Sequence, residues 1–138
     1  MIVDASVAVK LIVAEPGTVE ARELCFAQAT LAAPDWLVIE AASAIWGKVM
    51  RGEVLASDAQ TLNRALPPFF ETLHPSRALL DEGMRLAIDL RHHVYDCIYL
   101  GLALREGQQL VTADKAFVAS ARRAGFDEHV QLLSWNGA

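Results

Sequence analysis

Four carboxylates stand almost alone in apolar stretches of this 138-residue chain. Asp4 is the only charged residue of MIVDASVAV, and Glu40 is the only one of WLVIEAASAIWG. Asp96 is the only charge in VYDCIYLGLAL, and Asp114 comes just after the predicted strand in LVTADKAFV. An ionised carboxylate in an apolar setting requires a partner or loses its charge. If the four acids are close together they repel one another, and a cation would relieve that repulsion.

Oxygen ligands without a neighbouring Cys or His favour a hard divalent ion, so the sequence predicts Mg²⁺ or Mn²⁺. We expect Asp4, Glu40, Asp96 and Asp114 to hold this metal and to form the catalytic site. A metal held by carboxylates lowers the pKa of bound water and polarises a phosphoryl oxygen, which predicts phosphodiester hydrolysis. The sequence distinguishes neither one ion from two nor RNA from DNA as the substrate.

Three of these acids also have a structural explanation. Asp4 and Asp114 stand between a strand and a helix, where Asp is a common helix cap, and Asp96 can cap the helix that follows it. When each of these three acids is considered alone, helix capping is the favoured interpretation. Glu40 differs because it lies inside an apolar helix, and a helix that is apolar on most faces is expected to be buried.

The acids must be positioned by short strands that alternate with helices. Strands are predicted at 1–3, 31–33, 71–74, 109–112 and 130–134. Helices are predicted at 5–14, 19–28, 35–50 with Asp35 as its cap, 57–66, 76–93, 94–107 and 114–125. This alternation predicts an α/β fold with three α/β/α layers and a central, mostly parallel sheet. Ligands of such sheets bind at the carboxyl ends of the strands, so all four acids are expected near one crevice.

The composition limits the class of protein. A hydrophobic fraction of 54% predicts a globular core, and the length suits a single domain over 1–138. The net charge of -5 argues against binding nucleic acid through a general positive field. MIVDASVAVK lacks the basic region of a signal peptide, and no apolar run suits a membrane helix. Cys25 and Cys97 have no metal-binding spacing, which predicts reduced core residues and a cytoplasmic protein.

A second set of polar residues lies near the acids and could contact RNA phosphates. These residues are Lys10, Arg91, His92, His93 and Lys115. The three that precede Asp96 also suit a solvated helix end, where cations complement the helix dipole. The two lysines can equally be surface residues. Tyr95 and Tyr99 could stack on bases, but core or dimer packing is the favoured interpretation, as it is for Trp36 and Trp46.

The four acid-bearing segments together resemble PIN-domain nucleases, most closely the VapC-type toxins of bacterial toxin–antitoxin pairs. The segments are IVDAS, PDWLVIEAASAI, VYDCIYLGLAL and LVTADKAF, and in this order they cover nearly the whole chain. The resemblance implies a PIN-like fold and a Mg²⁺- or Mn²⁺-dependent endoribonuclease, with Asp4 and Asp96 as the surest metal ligands. It also implies that Ser6 and Thr112 are supporting hydroxyls, which hydrogen-bond the carboxylates or metal-bound water.

The resemblance further implies partners, namely an RNA substrate, a second copy of the chain in a homodimer, and a cognate antitoxin that blocks the site. Many relatives carry another acid or amide three residues after the last Asp, whereas this chain has Phe117 there. This difference weakens the case for a second metal ion and not for the first.

Other functions fit the sequence less well than a ribonuclease does. A receiver-like phosphoacceptor domain would need adjacent acids after the first strand, where only Asp4 stands. A non-catalytic PIN-like binding module is disfavoured by the complete set of four acids. A metal-dependent DNA nuclease has the same chemistry, and only the resemblance favours RNA. Ser6 lacks the glycines of a nucleophile elbow, and the chain has no P-loop or GxGxxG motif.

Overall fold

The computed structural model of the protein describes residues 1–137, so residue 138 of the predicted domain lies outside it. Its strands are β1 (Ile2–Val3), β2 (Ala32–Pro34), β3 (Thr72–His74), β4 (Leu110–Thr112) and β5 (Val130–Leu132). Its helices are α1 (Ala5–Ile12), α2 (Thr18–Phe26), α3 (Trp36–Met50), α4 (Ala59–Ala65), α5 (Leu80–Leu90), α6 (Val94–Glu106) and α7 (Lys115–Arg123). The predicted order of strands and helices is confirmed. The helix predicted over 76–93 is shorter, because a 3₁₀ turn at Ser76–Leu79 precedes α5.

The five strands form one sheet in the order β3-β2-β1-β4-β5, and each neighbouring pair is parallel. The predicted three-layer α/β fold is therefore confirmed, with a sheet that is parallel throughout rather than mostly so. β1 lies at the centre, where Ile2 pairs with Ala32 of β2 and with Leu110 of β4. The carboxyl ends of β1 and β4 are consequently neighbours, and the residues after them share one edge of the sheet.

α6 is buried along most of its length, since every residue from Cys97 to Ala103 is buried. Two glycines let it pack closely against α5. A Cβ added at Gly83 would lie 3.0 Å from Cγ1 of Ile98, and one at Gly101 would lie 3.1 Å from Cγ of Glu82. Cys25 and Cys97 are buried and free, as predicted. Within residues 1–137, no helix combines the length and the hydrophobicity needed to cross a bilayer.

The prediction that α3 is buried on most faces is wrong. One side of this helix packs into the protein through Leu37, Ala41 and Ile45, but Trp46 on another side is 64% exposed. Hydrophobic composition alone does not identify which face of a helix is covered. α3 therefore presents apolar side chains to the surface beside the edge of the sheet.

Asp35 is the N-cap residue of α3, as predicted, but its side chain makes no capping hydrogen bond. Its Oδ1 accepts hydrogen bonds from the backbone N–H and the hydroxyl of Ser76, at 3.0 and 2.6 Å. The Ser76 hydroxyl oxygen in turn accepts a hydrogen bond of 2.9 Å from the N–H of Trp36. The first free N–H of α3 is thus satisfied by the segment after β3, and this contact fixes the start of the helix that carries Glu40.

Candidate active site

Asp4 follows β1 and caps α1, as predicted. Its Oδ1 accepts hydrogen bonds from the N–H of Val7 at 3.1 Å and from the hydroxyl of Ser6 at 2.6 Å. Burial raises the pKa of Asp4 to about 6 against the opposing effect of its hydrogen bonds, and the nearby charge of Asp96 raises it further. Asp4 is therefore both a helix cap and a carboxylate that is poorly stabilised in its charged form.

Asp114 occupies the equivalent position after β4. It caps α7 as predicted, because its Oδ1 accepts a hydrogen bond of 2.9 Å from the N–H of Phe117. The two predicted hydroxyls hold this turn. Thr112 Oγ1 accepts from the N–H of Asp114 at 3.1 Å, and Ser6 Oγ accepts from the N–H of Ala113 at 2.9 Å. Because the Ser6 hydroxyl also donates to Asp4, it connects the ends of β1 and β4.

Asp96 lies in the first turn of α6 and does not cap it, since the N-cap residue is His93. The capping interpretation of Asp96 is therefore wrong. Its carboxylate instead contacts His92, whose Nε2 is 2.7 Å from Asp96 Oδ2. One ligand atom each from His92, Asp96 and Asp114 lie within 4.8 Å of one another. The expectation of oxygen ligands without a nearby His is consequently wrong, because an imidazole nitrogen belongs to this group.

Glu40 lies on α3 and is partly buried, as predicted. The buried hydroxyl of Tyr99 donates a hydrogen bond of 2.7 Å to its Oε1. Burial raises the pKa of Glu40 to about 7, the Tyr99 hydrogen bond opposes this increase, and the charges of Asp4 and Asp96 add to it. Glu40 is therefore close enough to Asp4 and Asp96 for their charges to affect its ionisation.

Tyr99 is a site residue that the sequence interpretation missed, since that interpretation favoured core or dimer packing and offered only base stacking as the alternative. That packing is present, because Tyr99 is only 1% exposed. A signal for its second role was available. A tyrosine hydroxyl buried in an apolar helix needs a hydrogen-bond partner, and Glu40 was a carboxylate without one.

The predicted RNA contacts separate into two groups. Lys10 is buried, and its Nζ bonds Oε1 of Glu15 and the carbonyl of Pro16, both at 2.9 Å, so it is not free to bind a phosphate. His92 is engaged with the acids, as described above. The second group is exposed at or near the starts of α6 and α7 and consists of Arg91, His93 and Lys115. These three residues remain predicted RNA contacts.

The donor set fits a divalent metal. Carboxylate oxygens suit both Mg²⁺ and Mn²⁺, while an imidazole nitrogen suits Mn²⁺ better. Among residues 1–137, Asp96, Asp114 and His92 offer a close group of ligand atoms, and the charge of Asp96 acts on both Asp4 and Glu40. Phe117, which replaces the further acid or amide of many relatives, is buried and packs against His92 with ring centroids 4.8 Å apart.

Comparison with known proteins identifies the family of the chain. Ribonuclease VapC3 of Pyrobaculum aerophilum is 29% identical over 117 residues, which are 83% of this chain and 89% of that protein. The crystal structure of PAE2754 from Pyrobaculum aerophilum is similar with a TM-score of 0.68 at 27% identity, covering 86% of this chain and 84% of the other. Residues 1–123 match the PIN domain family, which confirms the resemblance of the acid-bearing segments. The chain therefore belongs to the PIN domain family.

Proposed function

We propose that this protein is a divalent-metal-dependent endoribonuclease that hydrolyses phosphodiester bonds of RNA. Membership of the PIN domain family and the similarity to a ribonuclease support a nuclease. The observation that carries the proposal is the convergence of Asp4, Glu40, Asp96 and Asp114, from different elements, on one edge of the sheet. Burial is the main cause of the raised pKa values of Asp4 and Glu40, and the charges of neighbouring acids add to it. Such perturbed acids are typical of functional sites.

In this proposal Asp4, Asp96 and Asp114 hold Mg²⁺ or Mn²⁺ with Glu40. The bound ion supplies an activated water and neutralises the charge that develops on the phosphate. Glu40 has a second task. Its Oε1 is engaged by Tyr99, which leaves Oε2 to accept a proton from the attacking water. In the metal-free protein the pKa of Glu40 is raised to about 7, and a bound cation would lower it, which would favour the ionised form that accepts a proton.

The hydroxyls of Ser6 and Thr112 support the acids without reacting themselves. Ser6 donates to Asp4 while it accepts from the backbone of Ala113, so one hydroxyl fixes the separation of two strand ends. Thr112 accepts from the N–H of Asp114 and thereby sets the turn in which that acid stands.

The biological setting is also a proposal, supported by the similarity to Ribonuclease VapC3. We infer that the protein is the toxin of a type II toxin–antitoxin pair, that it acts in the cytoplasm as a homodimer, and that a cognate antitoxin blocks its site. The substrate would be tRNA, rRNA or mRNA. A non-catalytic binding module and a DNA nuclease are the competing functions.

Cleavage assays with partner-free protein test the nuclease. Mixed tRNA and rRNA, and single-stranded DNA for comparison, are incubated with Mg²⁺, with Mn²⁺ or with EDTA. We expect RNA cleavage that depends on the metal. Asp4→Asn and Asp96→Asn should abolish this cleavage without loss of the fold. Asp89→Asn, which changes an exposed acid on α5, should leave the cleavage unchanged. Calorimetry should show weaker metal binding by Glu40→Gln. Cleavage by Asp4→Asn or by Asp96→Asn would reject the site, and a protein that neither binds metal nor cleaves would be a binding module.

A further inference from the structure

A groove of about 610 Å³ opens between α1 and α3 beside the candidate active site. We call it the α1–α3 groove. One end is lined by Ser6, Glu40 and Ala113, which belong to the acid site or touch it. The other end is lined by Trp46, Lys48 and Arg51, together with Lys10 and Glu15. The groove therefore runs from the acids to a region of different charge and chemistry.

The far end of the groove is positively charged. Lys10 and Lys48 are both buried, and both bond the carboxylate of Glu15, one to each oxygen. Glu53 contacts Lys48 at 3.5 Å and Arg51 at 2.7 Å. Three cations thus meet two carboxylates, which leaves a net charge of +1 in this cluster. In a protein with a net charge of -5 this cluster is a local excess of positive charge.

Arg51 is the member of this cluster that a ligand can reach. Its guanidinium folds back over the helix toward Gly47. A Cβ added at Gly47 would therefore lie 3.2 Å from Nη1 of Arg51. Among residues 1–137 its ion pair is with Glu53, and both side chains are about half exposed. An exposed pair of this kind contributes little to stability, so a phosphate can replace Glu53 at the guanidinium.

Trp46 lines the same end of the groove and is 64% exposed. A large aromatic ring at a surface, next to an arginine and beside an acid site, suits stacking on a nucleobase. Glu40 and Gly47 are seven residues apart on α3, so the guanidinium lies about 10 Å along the helix axis from the acids. This separation is on the scale of neighbouring nucleotides rather than of the scissile phosphate itself.

We infer that the α1–α3 groove is a substrate subsite that holds an unpaired nucleotide next to the scissile phosphate. Trp46 stacks on its base, and Arg51 contacts its phosphate in the positive field of Lys10 and Lys48. The inference rests on the proposed ribonuclease function and adds a preference to it. Bases in an A-form duplex are stacked on one another and are not available to a side chain, so the groove selects single-stranded RNA.

Binding measurements on the Asp4→Asn protein test the subsite without cleavage. The probe is a short fluorescently labelled unpaired RNA, with a fully paired duplex for comparison, and the readout is anisotropy at several salt concentrations. We expect Trp46→Ala to weaken binding of the unpaired RNA by about 5- to 100-fold, as loss of a base-stacking side chain does. Arg51→Gln should reduce the slope of log K against log salt by about 0.7, the value for one lost phosphate contact on a single strand.

Two matched controls are exposed side chains outside the groove. Met50→Ala removes another exposed apolar side chain of α3 that does not line the groove, and Arg85→Gln removes an exposed, ion-paired arginine of α5. Both should bind as the Asp4→Asn protein does. Quenching of tryptophan fluorescence by RNA should also largely disappear in Trp46→Phe, although Trp36 and Trp135 remain.

The outcomes separate the subsite from the proposed function. If the unsubstituted protein cleaves RNA but Trp46→Ala and Arg51→Gln bind it normally, the subsite is overturned and the nuclease stands. If these variants keep their RNA affinity but self-associate less in sedimentation, the face is a protein contact, which also overturns it. Absence of both RNA binding and cleavage in the unsubstituted protein would overturn both proposals.

Discussion

The hydroxyl of Tyr99 donates a hydrogen bond of 2.7 Å to Oε1 of Glu40 and thereby joins α6 to α3 across the candidate active site. Tyr99 follows Asp96 by three residues on α6, so the helix that carries one acid also orients another. Partners of this kind set the position and basicity of metal-binding carboxylates, although they do not touch the metal.

We therefore expect Tyr99→Phe to weaken binding of Mg²⁺ or Mn²⁺ by about 10- to 100-fold. The Glu40 carboxylate would lose its donor, and its pKa would rise further because the hydrogen bond now lowers it. The free energy of unfolding should fall by about 1–2 kcal/mol, since a partly buried carboxylate loses a hydrogen bond. Calorimetry and urea unfolding measure the two effects. Tyr95→Phe, half exposed on the same helix, is the control, and equal metal affinity in both variants would contradict the role of Tyr99.

His92 should influence which metal binds. Since imidazole nitrogen favours Mn²⁺ over Mg²⁺, we expect His92→Gln to reduce the affinity for Mn²⁺ by more than that for Mg²⁺. Calorimetry with each ion measures the ratio, and pulsed EPR of bound Mn²⁺ should lose a nitrogen coupling. His93→Gln, an exposed neighbour, is the control. An equal loss for both ions would mean that His92 only orients Asp96.

The metal-free protein should lose stability as the pH rises. Burial raises the pKa of Asp4 to about 6 and that of Glu40 to about 7. An acid whose pKa is higher in the folded state stabilises that state at low pH, and this contribution is lost as the pH rises through the folded value. We expect the free energy of unfolding in EDTA to fall between about pH 4 and pH 7, with about 2–3 kcal/mol from Asp4.

Urea unfolding across this pH range checks the effect, and Asp4→Asn isolates it. The variant keeps an oxygen for the helix cap but carries no charge, so its unfolding free energy should change less with pH and exceed that of the unsubstituted protein near pH 8. Added Mg²⁺ or Mn²⁺ should stabilise the unsubstituted protein more at pH 8 than at pH 5, because its ligands must be deprotonated. Identical pH profiles of the two proteins would refute the burial effect.

Arg91 ends α5 in a left-handed conformation, with φ of 51°. A side chain is disfavoured in this region and glycine is not. We expect Arg91→Gly to raise the free energy of unfolding by about 0.5–1 kcal/mol, and β-branched Arg91→Val to lower it. The same change at Arg85, inside α5, should instead cost about 1 kcal/mol. Thermal melting compares the variants, and destabilisation of Arg91→Gly equal to that at Arg85 would contradict the prediction.

The parts of this structure that depend on local pattern could be predicted from the sequence. The alternation of strands and helices identified the parallel sheet. Asp4 and Asp114 could be recognised as helix caps, because each lies between a strand and a helix. They could also be expected at one sheet edge, because Asp4 comes just after β1, Asp114 comes just after β4, and these two strands pair with each other. Short-range chemistry and the general rule for parallel sheets were sufficient for these residues.

The remaining features depend on packing that no local pattern specifies. His92 reaches Asp96 because the chain turns through the left-handed conformation of Arg91, which its residue type disfavours. The bond between Tyr99 and Glu40 depends on how α3 and α6 are placed on the sheet. The exposed side of α3 could not be recognised either. Apolar residues lie on several sides of this helix, and their pattern does not indicate which side packs against the rest of the protein.

The central position of β1 also affects how early during synthesis and folding the acid site can form. β1 pairs with β4 through Ile2 and Leu110, so this pairing closes a loop that contains most of the sequence. Closing a long loop costs chain entropy, and parallel pairings between distant strands form slowly. We therefore expect Asp4 to meet Asp114 late in folding, after most of the polypeptide has left the ribosome. A chain truncated before β4 lacks Asp114 and cannot assemble the acid site, so we expect it to be inactive.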